Sequence, residues 1–182
     1  MLRSLGVTVV SLPYELHPEI PVGGILLRDR WGTRYGEAAA MYARIEMECD
    51  AAGLPFRRPE RVPNTRRALL TAEHIRRTQP EAFDALERSL FEAHFVDNRP
   101  FDDPDVLDEL VTGAGADADA TRAAVEEGTL VNTLRESMMA AGQAGVTGTP
   151  AWFLDGKLLI PGAQPRELIE RWVRRMQERE ET

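Results

Sequence analysis

The sequence predicts an α/β protein in which a helical block separates two strand-forming ends. Residues 6–12, GVTVVSL, are apolar and rich in β-branched side chains, as is typical of a strand buried on both faces. Residues 151–160 hold two apolar runs around Asp155-Gly156, a strong signal for a β-hairpin. Between these ends, apolar residues recur at three- and four-residue steps, which indicates helices.

Composition bounds the function classes. The chain has 182 residues, the length of one domain or of one domain with an insertion, and its 43% hydrophobic content suits a globular core. A net charge of -8 argues against a nucleic-acid surface. The longest apolar run falls short of 18 residues and the N-terminus lacks signal-peptide features, so we expect a cytoplasmic protein without a membrane span.

The central block predicts about five helices, a number that follows from its periodicity and its capping residues. The first helix ends near Gly53, and Asn64 or Thr65 caps the second. Pro80 suits the first turn of the third, and Gly113 ends the fourth. On the first helix one stripe is expected to be buried: Ala38, Tyr42, Ile45, Cys49 and Ala52.

A further amphipathic helix follows the hairpin near the C-terminus. Its expected buried face comprises Leu168, Ile169, Trp172, Val173 and Met176. The element order is therefore strand, helical block, hairpin and helix. We expect residues 1–33 and 144–182 to form one α/β layer and residues 34–143 to form an all-helical insertion.

Four stretches carry a resemblance to a known family. They are PYELHPEIP after the first strand, AAGLPFRRPERVPNTRRA and LFEAHFVDNRPFDDPDVL in the helical block, and GVTGTPAWFLDGKLLIPGAQP at the hairpin. The resemblance as a whole runs from about residue 7 to residue 173. The chain resembles the DsbA-like branch of the thioredoxin superfamily and, more closely, the FrnE-type dithiol oxidoreductases. The resemblance implies a thioredoxin-like fold with a helical insertion.

The resemblance also implies a chemistry and a site. Such enzymes place a C-x-x-C motif at a helix N-terminus and exchange disulfides with protein or small-molecule thiols, without a cofactor. Carried over, Pro150 would be a cis-proline packed on the reacting sulfur, and Thr149 would offer its backbone to an extended substrate. Gly148, Glu15 and His17 would line the groove.

The sequence departs from the family at its N-terminal end. The first strand, the C-x-x-C motif and most of the first helix have no counterpart, a deficit of roughly thirty residues judged from typical element sizes. Cys49 is the only cysteine, so no internal disulfide and no multi-cysteine zinc site can form. We expect an N-terminally truncated thioredoxin-like fold that is redox-inactive as the chain stands. The simplest origin is a gene model that starts at a downstream methionine, and the alternative is a genuine relic that has lost its redox motif.

Two other function classes remain open. A relative of the glutathione-dependent isomerases and kappa-type transferases would use a serine at the missing motif. A non-enzymatic module would bind a peptide or a partner, or pair with a second copy as a homodimer, through the exposed sheet edge. His17, His74 and His94 form no close pair, so no metal site is expected.

Overall fold

The computed structural model describes residues 2–154 and 158–180. It divides into two compact units: residues 1–16 with 133–182, and residues 17–132. The division expected from the sequence, with an insertion over residues 34–143, stays a prediction.

The unit of residues 17–132 begins with a very short antiparallel pair. Strand β1 (Ile25–Leu26) pairs with β2 (Arg61–Val62), with Ile25 opposite Val62. Gly24 precedes β1 at φ +66°, where a Cβ atom would lie 2.6 Å from the carbonyl oxygen of Val62. Only glycine fits so close to the neighbouring backbone.

Helix α1 (Leu27–Trp31) leads through a 3-10 turn into α2 (Tyr35–Ala51), which confirms the first predicted helix. The predicted buried stripe of α2 is confirmed only in part: Tyr42 and Cys49 are half-buried, and Ala52 is exposed. Ala38 is buried, but Ile45 is 37% exposed. Helix α2 packs mainly on α1 and the 3-10 turn beside it, and periodicity alone does not say which face a neighbour covers.

Four further helices form the core of this unit, packed chiefly α3 on α4 and α3 on α6: α3 (Arg66–Thr78), α4 (Pro80–Phe95), α5 (Pro104–Gly113) and α6 (Ala118–Glu126). Pro80 occupies the first turn of α4 as predicted, and Asp103 caps α5 by accepting from the backbone N–H of Asp105. Ile75, Leu86 and Val111 are almost completely buried between the helices.

Helix α3 also carries a buried carboxylate. Glu73 is 3% exposed and accepts hydrogen bonds from Arg76 Nε at 2.8 Å and Arg77 Nε at 2.6 Å. Burial raises the pKa of Glu73, but the hydrogen bonds and charges of the two guanidinium groups outweigh it, so the pKa lies below its usual value. The carboxylate of Glu73 is therefore covered and stabilised by two partly exposed arginines of its own helix.

The unit of residues 1–16 and 133–182 contains most of α7 (Val131–Gln143), the hairpin and the last helix, α8 (Arg166–Glu180). Strands β3 (Ala151–Leu154) and β4 (Leu158–Pro161) confirm the predicted hairpin, whose turn at Asp155-Gly156 lies outside the described residues. Ile160 of β4 is buried, and the predicted inner face of α8 is confirmed at Ile169 and Val173.

The predicted first strand is not formed. Residues 6–12 have no strand assignment, and Val9, Val10 and Leu12 are 42%, 55% and 67% exposed. A strand is stabilised by its neighbours, and within residues 2–154 and 158–180 no strand runs beside this stretch. Its apolar composition is therefore exposed instead of being buried on two faces.

His94 of α4 is half-buried against two aromatic rings in the helical unit. Its ring centroid lies 4.4 Å from that of Phe95 and 5.5 Å from that of Phe101, both edge-on. It borders a small cavity of about 60 Å³ whose other walls include Arg61 and Asp102. Burial lowers the pKa of His94 to about 4, and the nearby charge of Asp102 opposes this only in part.

This burial predicts an acid-sensitive fold. The folded pKa of about 4 lies below the ordinary 6.5, so the unfolded chain binds the proton more readily between these values. The contribution of His94 to stability is complete above pH 6.5 and is lost as the pH falls towards 4, a loss on the order of 3 kcal/mol. Urea unfolding at pH 7 and at pH 4.5 measures it.

The variant His94→Phe keeps a ring but has no ionisable group. Its free energy of unfolding should therefore fall less between pH 7 and pH 4.5 than that of the wild type. His17→Gln, which removes an exposed histidine, should leave the acid-dependent loss in place. An equal fall in the free energy of unfolding for the wild type and His94→Phe would show that His94 does not cause the loss of stability in acid.

Candidate substrate-binding site

A loop that joins α7 to β3 carries three of the predicted site residues. The backbone N–H of Val146 donates to the carbonyl of Ala141 at 2.9 Å, which closes the end of α7 before the loop begins. Gly148 is half-buried, whereas Thr149 and Pro150 are exposed. The Thr149–Pro150 peptide bond is cis in the structure.

The ladder of the hairpin determines which backbone groups of β3 are occupied. Gly162 N–H donates to the carbonyl of Pro150 at 2.8 Å, and Trp152 lies opposite Ile160 in the same register. Antiparallel ladders alternate between hydrogen-bonded and non-hydrogen-bonded pairs. The backbone groups of Trp152 therefore face β4, while those of Ala151 and Phe153 face the other side.

That other side is an open edge. Among the described residues the sheet has two strands, so nothing pairs with Ala151 and Phe153 on the side away from β4. The N–H and carbonyl groups of Thr149 make no hydrogen bond with another described residue. Thr149, Ala151 and Phe153 together form what we call the β3 edge, a continuation of the exposed loop.

The opposite edge of the hairpin is less suited to pairing. Pro161 lies opposite Ala151 at a non-hydrogen-bonded position, so the place where an outward N–H would stand is taken by the proline ring. The side chain of Phe153 is 52% exposed beside the β3 edge, whereas Ile160 on β4 is 1% exposed. Only the β3 edge offers an uninterrupted alternation of donors and acceptors.

Glu15 belongs to the same unit as this loop and is 7% exposed. Its backbone N–H lies 3.1 Å from the Sδ atom of Met138, and the hydroxyl of Ser137 donates to the carbonyl of Pro13 at 2.7 Å. Residues 13–15 are therefore held against α7. The predicted place of Glu15 in a groove wall stays a prediction.

His17 falls in the other unit, of residues 17–132. Its side chain is 44% exposed, and its Nδ1 atom lies 3.3 Å from Oε1 of Glu19. The carbonyl of His17 accepts from the N–H of Ile20 at 3.2 Å, which forms a turn directly after it. These contacts give His17 a local partner, and its predicted role in the groove stays a prediction.

Cys49, the only thiol, also lies in the helical unit. It is half-buried in the last turn of α2, at the opposite end from the helix N-terminus that would stabilise a thiolate. The described part of the chain contains no cluster of three or more His, Cys, Asp or Glu side chains arranged for a metal ion.

The sequence indicated the loop but not the β3 edge. The signal that could have found it is the position of Pro161, since a proline in a hairpin strand marks a side on which no N–H is needed. The pairing register was required to apply that rule, and the register depends on the turn.

Comparison with known proteins identifies the family. Over the described residues, no helix is both long and apolar enough to cross a bilayer. The family model of the DSBA-like thioredoxin domain matches residues 2–173. A probable DsbA oxidoreductase from Streptomyces coelicolor is similar in structure, with a TM-score of 0.83 and 26% identity over 94% of this chain and 76% of that chain.

No sequence among curated proteins matches the chain significantly. The family model nevertheless covers nearly the whole chain, and the solved structure agrees with it in fold. The expected thioredoxin-like α/β fold is thereby confirmed, and the chain belongs to the DsbA-like thioredoxin domain family of thiol–disulfide oxidoreductases.

Proposed function

We propose that this member of the family, of the FrnE type, binds thiol- or disulfide-bearing polypeptides in extended form at the β3 edge. The observation that carries the proposal is the unpaired row of backbone groups at Thr149, Ala151 and Phe153, continuous with the exposed loop. An extended peptide recognises such an edge by adding a strand to the sheet.

The composition of the edge favours a neutral, apolar segment of the substrate. Residues 137–154 contain no charged side chain, and Phe153 presents a half-exposed ring beside the backbone groups. Each backbone hydrogen bond contributes about 1 kcal/mol, so affinity rests on several of them with the aromatic contact added. Thr149 would supply both a donor and an acceptor at the N-terminal end of this row of backbone groups.

We propose further that the 182-residue polypeptide does not exchange disulfides by itself. Exchange passes through a mixed disulfide and needs a resolving thiol to complete the cycle. Cys49 is the only cysteine among these 182 residues, so no second thiol is present to resolve a mixed disulfide. This chain therefore supplies the recognition surface and lacks the reacting pair.

Substrate binding at the edge predicts a specific effect of proline. Phe153→Pro removes the outward N–H while leaving the ladder to β4 intact, so affinity for an extended peptide should fall about tenfold. A fluorescent insulin B chain with its cysteines blocked by iodoacetamide is the probe, and fluorescence anisotropy gives the dissociation constant.

The matched control is Phe153→Ala, which removes the ring but keeps the N–H. Circular dichroism of both variants confirms that the hairpin unit is folded. Binding of equal strength by Phe153→Pro and Phe153→Ala would show that the β3 backbone does not hold the peptide.

The absence of a second thiol predicts no turnover. In an insulin-reduction assay with dithiothreitol, the chain should precipitate insulin no faster than the reagent alone, because one thiol cannot complete an exchange cycle. Cys49→Ser should give the same trace. A rate above background in the wild type that disappears in Cys49→Ser would refute the proposed inactivity without bearing on peptide binding.

A further inference from the structure

Residues 6–12 are held at both ends and free in the middle. The side-chain amide of Gln177 on α8 donates to the carbonyl of Leu5 at 2.9 Å. The hydroxyl of Ser137 on α7 donates to the carbonyl of Pro13. Between these anchors, a turn ends at Gly6, and the backbone groups of residues 8–12 make no hydrogen bond with another described residue. The stretch is a tethered span whose backbone groups are available.

The side chains of this span are those of a strand. Val7, Thr8, Val9 and Val10 are β-branched, and the span contains neither proline nor a charged residue. Val10 and Leu12, which would lie on the same face of a strand, are 55% and 67% exposed. Short segments of high β-propensity without charge pair readily with other strands when they are exposed.

Charge distribution favours a second copy of the chain as the partner. The chain carries a net charge of -8, so two copies repel each other over most of their surface. Residues 4–14 form an uncharged stretch, the second longest in the sequence. Two copies can approach there without bringing like charges together.

We propose that two copies of this chain associate by antiparallel pairing of residues 6–12. A two-fold axis perpendicular to the paired strands keeps the same face of both copies on one side of the ladder. Thr8, Val10 and Leu12 of each copy then lie on a common face. Centring the axis on Val9 or Val10 puts a valine opposite the same valine, a favourable apolar cross-strand pair.

The test is sedimentation equilibrium of the full chain over a range of concentrations. The apparent mass should rise from the 20.3 kDa of one chain towards twice that value. Val10→Lys puts a charge on each copy at the ladder and should weaken association about tenfold or more. Val22→Lys is the matched control, because Val22 is 92% exposed in the other unit and should leave association unchanged.

Hydrogen exchange locates the interface independently. The amides of residues 7–12 should exchange more slowly as protein concentration rises, and Val10→Lys should abolish this dependence. A mass of one chain at every concentration would overturn the proposal, as would undiminished association of Val10→Lys. Protection of residues 7–12 only on addition of the blocked insulin B chain would identify a foreign strand as the partner and would equally overturn it.

Discussion

Backbone pairing is the constraint on which the hairpin unit depends. One hydrogen bond, from Gly162 N–H to the carbonyl of Pro150, sets the parity of the ladder between β3 and β4. That parity decides that Trp152 faces β4 and that Ala151 and Phe153 face away. The exposed loop and the open edge are therefore consequences of one register. A shift by one residue would exchange occupied and open positions along the whole strand.

The same constraint explains what could be predicted from the sequence. Pro80 indicated a helix start because its effect is local: its ring fixes φ in the first turn. Residues 6–12 were wrongly predicted to form a strand because a strand needs a partner from elsewhere in the chain. The helix at α2 was predicted correctly but its buried stripe only in part, since the burial of a helix face depends on elements elsewhere in the chain.

The candidate site also has a part that local sequence indicates and a part that depends on strand pairing. Thr149 and Pro150 could be identified from the sequence because the surrounding motif is contiguous, and the structure places them exposed at the start of β3. The open edge could not be, because it depends on which residues of two strands face each other. The strands β1 and β2 were also missed, since two residues are too few to show a periodic pattern.

The two surfaces with unpaired backbone groups share an absence of charged side chains. Proteins commonly protect an open strand edge with charged side chains, lysine above all, or with proline. The two longest uncharged stretches of this sequence are residues 137–154 and 4–14. The first contains the β3 edge, and the second contains the free span beside α7 and α8. Proline blocks only the opposite edge of the hairpin, at Pro161. Charged side chains are thus absent from both of these stretches, whereas the outer edge of β4 carries a proline, the distribution expected if the two stretches each receive a strand.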